Sequence, residues 1–286
     1  MTRRLGLLII IIGFGFLLYP LTSITLNHLR APGRMETFLA EQQSLTQENV
    51  EVILEQAHAY NQTLDGTANG AIDPFEVEQV SLTPPIDLEE GEVFAYLSIP
   101  KIDEKLPIFL GASEYHLDLG TAHIDGTNLP IGGKDTRSVI AGHWGWRTQT
   151  IFRNIPELVA GDQIFVHALG ETLEYRVVDQ EIIHPYEYGK LAVVPDEDTL
   201  TLLTCTYVNG ASDRLLVNAK RVLPEEVIVT AEEQTAEAAD LTEATGLHQT
   251  PETKVMVKRY GLMSVTLILW LILFVVVIRF LRTFRR

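Results

Sequence analysis

The single cysteine of this 286-residue chain, Cys205, closes the stretch Thr201-Leu202-Leu203-Thr204-Cys205, and Arg214 follows nine positions later. Both chain ends carry apolar runs flanked by basic residues, so the middle is expected to face an oxidising exterior, where structural cysteines come in pairs. An unpaired thiol there points to a nucleophile; the alternative is a small buried side chain, since free Cys is among the most buried residue types. A nucleophilic thiol needs a partner, and of the eight histidines His143 is best placed, ending the run Val139-Ile140-Ala141-Gly142-His143. At a strand end an imidazolium can lower a thiol pKa and later donate a proton. His123 in GTAHIDGT is the rival, also at a strand end, whereas His167 within DQIFVHAL and His184 before Pro185 read as strand and loop residues. Arg214 is permanently charged and offers several donors to a developing oxyanion; a surface ion pair is its other reading. If Cys205 ends one strand and Arg214 begins the next, the two can face each other across one hairpin.

These residues need a rigid frame. From Val93 the chain breaks into short β-branched and aromatic runs separated by Pro, Gly and Asp: VFAYLSI, LPIFLG, SVIAGH, DQIFVHAL, TLEYRVVDQEII, LAVV, TLTLLTC and RLLVNAKRV. This spacing predicts an all-β barrel or sandwich, and about 130 residues suffice for one core. Upstream, residues 35–64 combine helix formers with apolar positions such as Phe38, Leu39, Val50, Ile53 and Leu54, which reads as one or two amphipathic helices. Gly66, Gly70 and Pro74 break that pattern, and an irregular connection runs to about Gly91.

The apolar run Leu5–Tyr19 follows Arg3-Arg4 and is closed by Pro20, although Leu21, Ile24 and Leu26 can extend it. With no small-x-small cleavage site close behind, it is read as an uncleaved membrane anchor. Gly261–Ile278 carries no charge over 18 residues and precedes Arg279, Arg282, Arg285 and Arg286, a second span. The positive-inside rule puts both termini in the cytoplasm and the middle outside, with Lys258 and Arg259 as basic residues on the wrong side of the second span. Residues 20–253 hold 13 Lys/Arg against all 38 Asp/Glu, a net of −25, which argues against nucleic acid or an anionic membrane surface as ligand. No D-x-[DN]-x-[DN]-G calcium loop occurs, and no metal is expected. Residues 223–258, rich in Glu, Thr and Ala, cannot bury enough surface to fold alone and read as a mobile tether. The expected division is 1–26 anchor, 27–66 extracellular helical region, 67–92 connection, 93–222 β-domain, 223–258 tether and 259–286 second membrane helix with a basic tail.

TLLTC followed by Arg214, with the strand-end Ala141-Gly142-His143, resembles the signature of the sortases, cysteine transpeptidases built on a closed eight-stranded β-barrel. The likeness extends through LSIPKIDEKLPIFLGAS, GTAHIDGTNLPIGG, SVIAGHWG and IFRNIPELVAGDQIFVH, covering about residues 93–222. It implies that Cys205 is the nucleophile, His143 the general acid/base and Arg214 the oxyanion or substrate-holding residue. The second span, the N-terminal helical region and Asp73-Pro74-Phe75 look like class C, the pilin-polymerising sortases, whose lid carries a DP-aromatic tripeptide. That resemblance implies Asp73 beside Arg214 and Phe75 over Cys205; read alone, Asp-Pro is also a common turn start. The chain departs from many class C relatives after the cysteine, with Thr206-Tyr207-Val208-Asn209-Gly210 and Asp213 before Arg214.

The implied reaction is cleavage of an LPxTG-like sorting signal through a Cys205 thioester and transfer to a pilin lysine, giving a polymer, or to a peptidoglycan stem amine, giving wall anchoring. LPxTG-like pilin precursors, the acceptor amine and the membrane are then the partners, with no cofactor and no nucleic acid required. The rival readings are a hydrolytic envelope cysteine peptidase and a non-catalytic assembly factor.

Overall fold

The computed structural model describes all residues except 1, 69–70, 72, 76–85, 87, 89–90, 146–150, 207–212, 224–250 and 284–286. Its centre is a closed barrel of eight strands in the order β1-β2-β3-β4-β7-β8-β6-β5. The strands are β1 (Ala95–Ile99), β2 (Glu104–Leu110), β3 (Thr121–His123), β4 (Thr136–Ala141), β5 (Gln163–Ala168), β6 (Glu171–Ile183), β7 (Asp198–Thr206) and β8 (Asp213–Arg221). Closure leaves no sheet edge to template pairing with another chain. Seven of the eight expected runs form strands. The exception is LAVV: Tyr188–Leu191 is a 3₁₀ turn in the β6–β7 connection, and Leu191 is buried against the outside of the sheet. The eighth strand is Thr121–His123, which pairs parallel to β2 and antiparallel to β4.

Two apolar layers follow from the period-two alternation of the strands. Leu200 and Leu202 on β7, with Leu215, Val217 and Ala219 on β8, fill the barrel interior. Leu203 and Leu216 point the other way and join Val139, Ala141, Ile183 and Leu191 in a second cluster on the outer face. This outer cluster is the floor on which the site is built. Among the described residues of the connection that precedes β1, Ala68 and Ala71 are buried in it and Phe75 packs on it.

The N-terminal helix α1 runs Thr2–Ser44, so Pro20 does not close it; Pro20 and Pro32 both lie inside. An interior proline forfeits one backbone hydrogen bond, a loss that neighbouring helices offset in apolar surroundings. The neighbour here is α4 (Thr253–Arg282), which packs along α1, its Trp270 Nε1 donating to Thr22 Oγ1 at 3.0 Å. The amphipathic region 35–64 is thus the end of α1 plus a separate α2 (Gln47–Thr63), begun by Thr46, whose hydroxyl accepts from the Asn49 amide. Both α1 and α4 are long and apolar enough to cross a membrane. The expected anchor boundary at 26/27 falls within α1, and α4 begins six residues before 259; most of the expected tether lies outside the described residues.

Candidate active site

The β7–β8 pairing sets Cys205 directly opposite Arg214. Directly paired residues project to the same face, so the thiol and the guanidinium share the outer side of the hairpin. Cys205 is half-buried, whereas the Arg214 side chain is 1% exposed.

His143 enters from β4, which runs parallel to β7 with Ala141 against Leu203. The ladder continues one step further, the Gly142 amide donating to the Leu203 carbonyl at 3.0 Å, and the His143 carbonyl accepts from the Phe152 amide at 3.0 Å. Gly142 has a steric reason: a Cβ there would stand 2.8 Å from Phe152 Cδ2 and 2.9 Å from Ile151 Cγ2, both in buried side chains. Gly142→Ala must push that wall or the His143 backbone aside. It is expected to cost about 1–3 kcal/mol in thermal or urea unfolding, together with a fall in turnover, because His143 moves with the backbone. An unchanged melting curve would remove the steric argument.

Desolvation lowers the His143 pKa below the ordinary histidine value, opposed by the carboxylates of Asp118 and Glu114 on α3 (Glu114–Leu119). The rival, His123, is completely buried, its Nε2 contacting the Thr127 carbonyl at 2.9 Å. Burial holds its pKa down at about 4, so it is a neutral core histidine. His167 sits on β5 against Thr172, and His184 follows β6.

Asp73-Pro74-Phe75 lies on the face that carries Arg214 and His143. Asp73 is 3% exposed and its Oδ2 accepts from Arg214 Nε at 2.6 Å, a buried ion pair spanning 141 positions of sequence. Its other oxygen accepts from the Phe75 amide at 2.9 Å, so the same carboxylate makes the local Asx turn and the long-range pair. The Phe75 ring lies 5.4 Å from the His143 ring, tilted by 50°, and the Arg214 guanidinium carbon is 5.4 Å from its centroid. The ring therefore shields the imidazole and receives the cation on its face.

Two further groups have no signal in sequence spacing. Tyr188, in the β6–β7 connection, is hydrogen-bonded through its hydroxyl to the Asp73 backbone; desolvation first, then the Asp73 carboxylate, raises its pKa. Asp213 is 5% exposed and contacts His184 Nδ1 at 3.0 Å. Only the pairing of Ile183 with Arg214 brings those two together. No cluster of metal-ligating side chains occurs among the described residues.

A thiol, an imidazole and a guanidinium on one barrel face are the nucleophile, proton carrier and cation that acyl transfer uses; comparison with known proteins identifies the family. The family model described as "Sortase domain" matches residues 97–222. The pilus-related sortase C of Group B Streptococcus is 34% identical, with a TM-score of 0.61 over 67% of this chain and 98% of that one. Sortase C-3 of Streptococcus pneumoniae is 35% identical, with a TM-score of 0.61 over 71% and 98%. Sortase D of Bacillus subtilis (strain 168) is 29% identical over 137 residues, which span 47% of this chain and 66% of that protein. The chain belongs to the sortase family, whose members are cysteine transpeptidases.

Proposed function

We propose that this protein is a membrane-anchored pilin polymerase, with residues 93–222 as its catalytic unit and residues 67–92 carrying a lid. The observation that carries the reading is the Asp73–Phe75 segment, seated by a buried ion pair on an arginine that faces the only cysteine. The pilus-related sortase C from Group B Streptococcus, similar over almost its whole length, supports the same direction.

In this reading the Cys205 thiol passes its proton to His143 and the thiolate attacks the threonine carbonyl of an LPxTG-like signal. Arg214 stabilises the tetrahedral oxyanion, and His143 gives its proton to the departing amine as the C–N bond breaks. The thioester keeps the acyl group reactive toward a second amine, so no nucleotide is consumed. A pilin lysine then attacks, its proton passes to His143, and the Cys205 thiolate leaves as an isopeptide bond forms. The two apolar helices hold the enzyme near precursors that are themselves membrane-tethered, and effective concentration replaces strong affinity.

The test is product identity. Full-length enzyme is incubated with an LPxTG peptide, a pilin domain bearing a lysine and a peptidoglycan stem peptide, and the products are read by mass spectrometry. A lysine isopeptide supports polymerisation. Transfer to the stem amine alone would replace it by wall anchoring, and hydrolysis alone by a peptidase.

The lid carries its own prediction. Asp73→Ala/Phe75→Ala removes the ion pair and the aromatic cover, so acyl-enzyme formation is expected to rise about tenfold. Water returns to His143, and its pKa, lowered chiefly by desolvation, is expected to climb toward the ordinary value in an NMR titration. Unchanged rates and an unchanged His143 titration in the variant would rule out gating by this segment.

A further inference from the structure

Lys258 and Arg259 stand on the side of the second apolar helix where positive charge is disfavoured, and the fold supplies a reason. Pro100–Ile102 forms a 3₁₀ turn between β1 and β2 that ends at Asp103 in the left-handed region, φ +53°. The Arg259 guanidinium enters this turn. Its NH1 donates to the Asp103 carbonyl at 2.9 Å and to the Asp103 carboxylate, while NH2 donates to Glu104 Oε1 at 3.1 Å and to the Ile102 carbonyl at 3.3 Å. Arg259 is 11% exposed and Glu104 4%. A planar fork fits this set of acceptors, which a lysine ammonium could not span.

The contact does not stand alone. One turn earlier Val255 is 1% exposed and belongs to the barrel's core cluster, and the Glu252 amide donates to the Lys101 carbonyl at 2.6 Å. Lys258 reaches Glu157 at 3.3 Å. On its other side α4 packs along α1, and α1 lays Met35 and Phe38 on Tyr96 of β1, with the Phe38 and Tyr96 rings 5.0 Å apart. Barrel, α4 and α1 thus brace one another in a closed triangle. Whatever path residues 224–250 take, the chain beyond them is bound to the catalytic unit.

A flexible tether would limit the height of the groove above a bilayer and leave its direction free. The brace fixes both. We propose that Arg259 is a positioning residue, clamping the C-terminal helix to the β1–β2 turn so that the groove keeps one orientation to the membrane during transfer between two membrane-tethered partners. This rests on the transfer reaction proposed above. Each partner also arrives with limited freedom, so a fixed groove raises productive encounters, while a soluble peptide gains nothing from it.

The test uses the full chain in liposomes, as wild type and as Arg259→Ala/Glu104→Gln, which removes the clamp without stranding a buried carboxylate. Cleavage of a soluble LPxTG peptide is expected to stay within about twofold, while transfer between a precursor and an acceptor pilin anchored in the same vesicle falls about tenfold. Independently, spin labels at Glu171→Cys on the barrel and Val265→Cys on α4, in a Cys205→Ala background, report the docking. A narrow distance distribution is expected with Arg259 present and a broad one in the clamp variant. An unchanged distribution overturns the clamp whatever the activities do, and equal losses on soluble and tethered substrates overturn its positioning role. A wild-type enzyme inactive on both substrates would defeat the transfer reading instead, with the label distances still deciding the docking.

Discussion

Full-length protein carrying Cys205→Ala is expected to form no acyl-enzyme and no transfer product, a loss of at least about 10³-fold, because no neighbouring side chain can take over the attack. Thr204 and Thr206 flank the thiol, but alternation along β7 turns them away from the face that carries Arg214, and they are 0% and 5% exposed. The same substitution should leave stability within about 1 kcal/mol, since it removes one half-buried sulfur and opens no large cavity. That pairing of outcomes separates the two readings of a lone cysteine. A core residue would give the reverse, lost stability with activity kept. Intact-mass analysis of enzyme mixed with peptide, beside urea unfolding of both proteins, decides the matter; an adduct of normal yield on the alanine variant would sink the nucleophile assignment.

The nine-position step from Cys205 to Arg214 was legible because a hairpin converts sequence distance directly into cross-strand pairing. His143 was legible as the residue that closes the apolar run Val139-Ile140-Ala141, two positions past the end of β4. The long-range contacts were not. Asp73 reaches Arg214 across 141 positions, and only the resemblance of Asp73-Pro74-Phe75 to the class C tripeptide pointed there; composition marked the segment merely as a turn. Arg259 meets Asp103 over 156 positions, and its sequence context spoke only of membrane topology. Tyr188 and His184 depend on how the β6–β7 connection folds back over the sheet, which no local pattern encodes.

The same limit explains one misread element and one strand left out of the eight runs, although His123 was placed at a strand end. Thr121–His123 is three residues long, too short to show alternation, and it is a strand because β2 and β4 flank it. Leu191-Ala192-Val193-Val194 has strand composition, yet its apolar character comes from covering the outer face: Leu191 joins the second cluster and the Val193 amide donates to the Gly66 carbonyl at 2.8 Å. Arg137 holds this connection down from beneath, donating to the Ala192 carbonyl at 3.0 Å and to Asn218 Oδ1 at 2.7 Å. The connection is thus tied to Gly66, seven residues before Asp73, on one side and to β4 and β8 on the other, so the segment leading to Asp73 and the β6–β7 connection are mechanically linked.

That linkage bears on Arg214, where two opposing effects meet in one side chain. Arg214→Ala is expected to lower kcat/KM about 10²–10³-fold, the usual cost of losing an oxyanion donor. It also strands Asp73, a carboxylate 3% exposed; leaving a buried charge without its partner costs about 3–5 kcal/mol, so the segment should lift and partly mimic the lid variant. The net effect is still a loss, because lid release raises only the fraction of enzyme ready to bind, whereas the oxyanion forms once in acylation and again in transfer. The double substitution Arg214→Ala/Asp73→Ala separates the roles. If Arg214 served only as counter-ion to the lid, the double variant would match Asp73→Ala in rate. If it acts on the oxyanion, the double variant stays about 10²-fold below Asp73→Ala although both have an open groove. Arg214→Lys adds the finer comparison: an ammonium keeps the charge but loses the fork, so it should seat Asp73 better than alanine does and recover only part of the turnover. Single-turnover thioester formation across these four variants, read against wild type, decides between a latch and a catalytic cation.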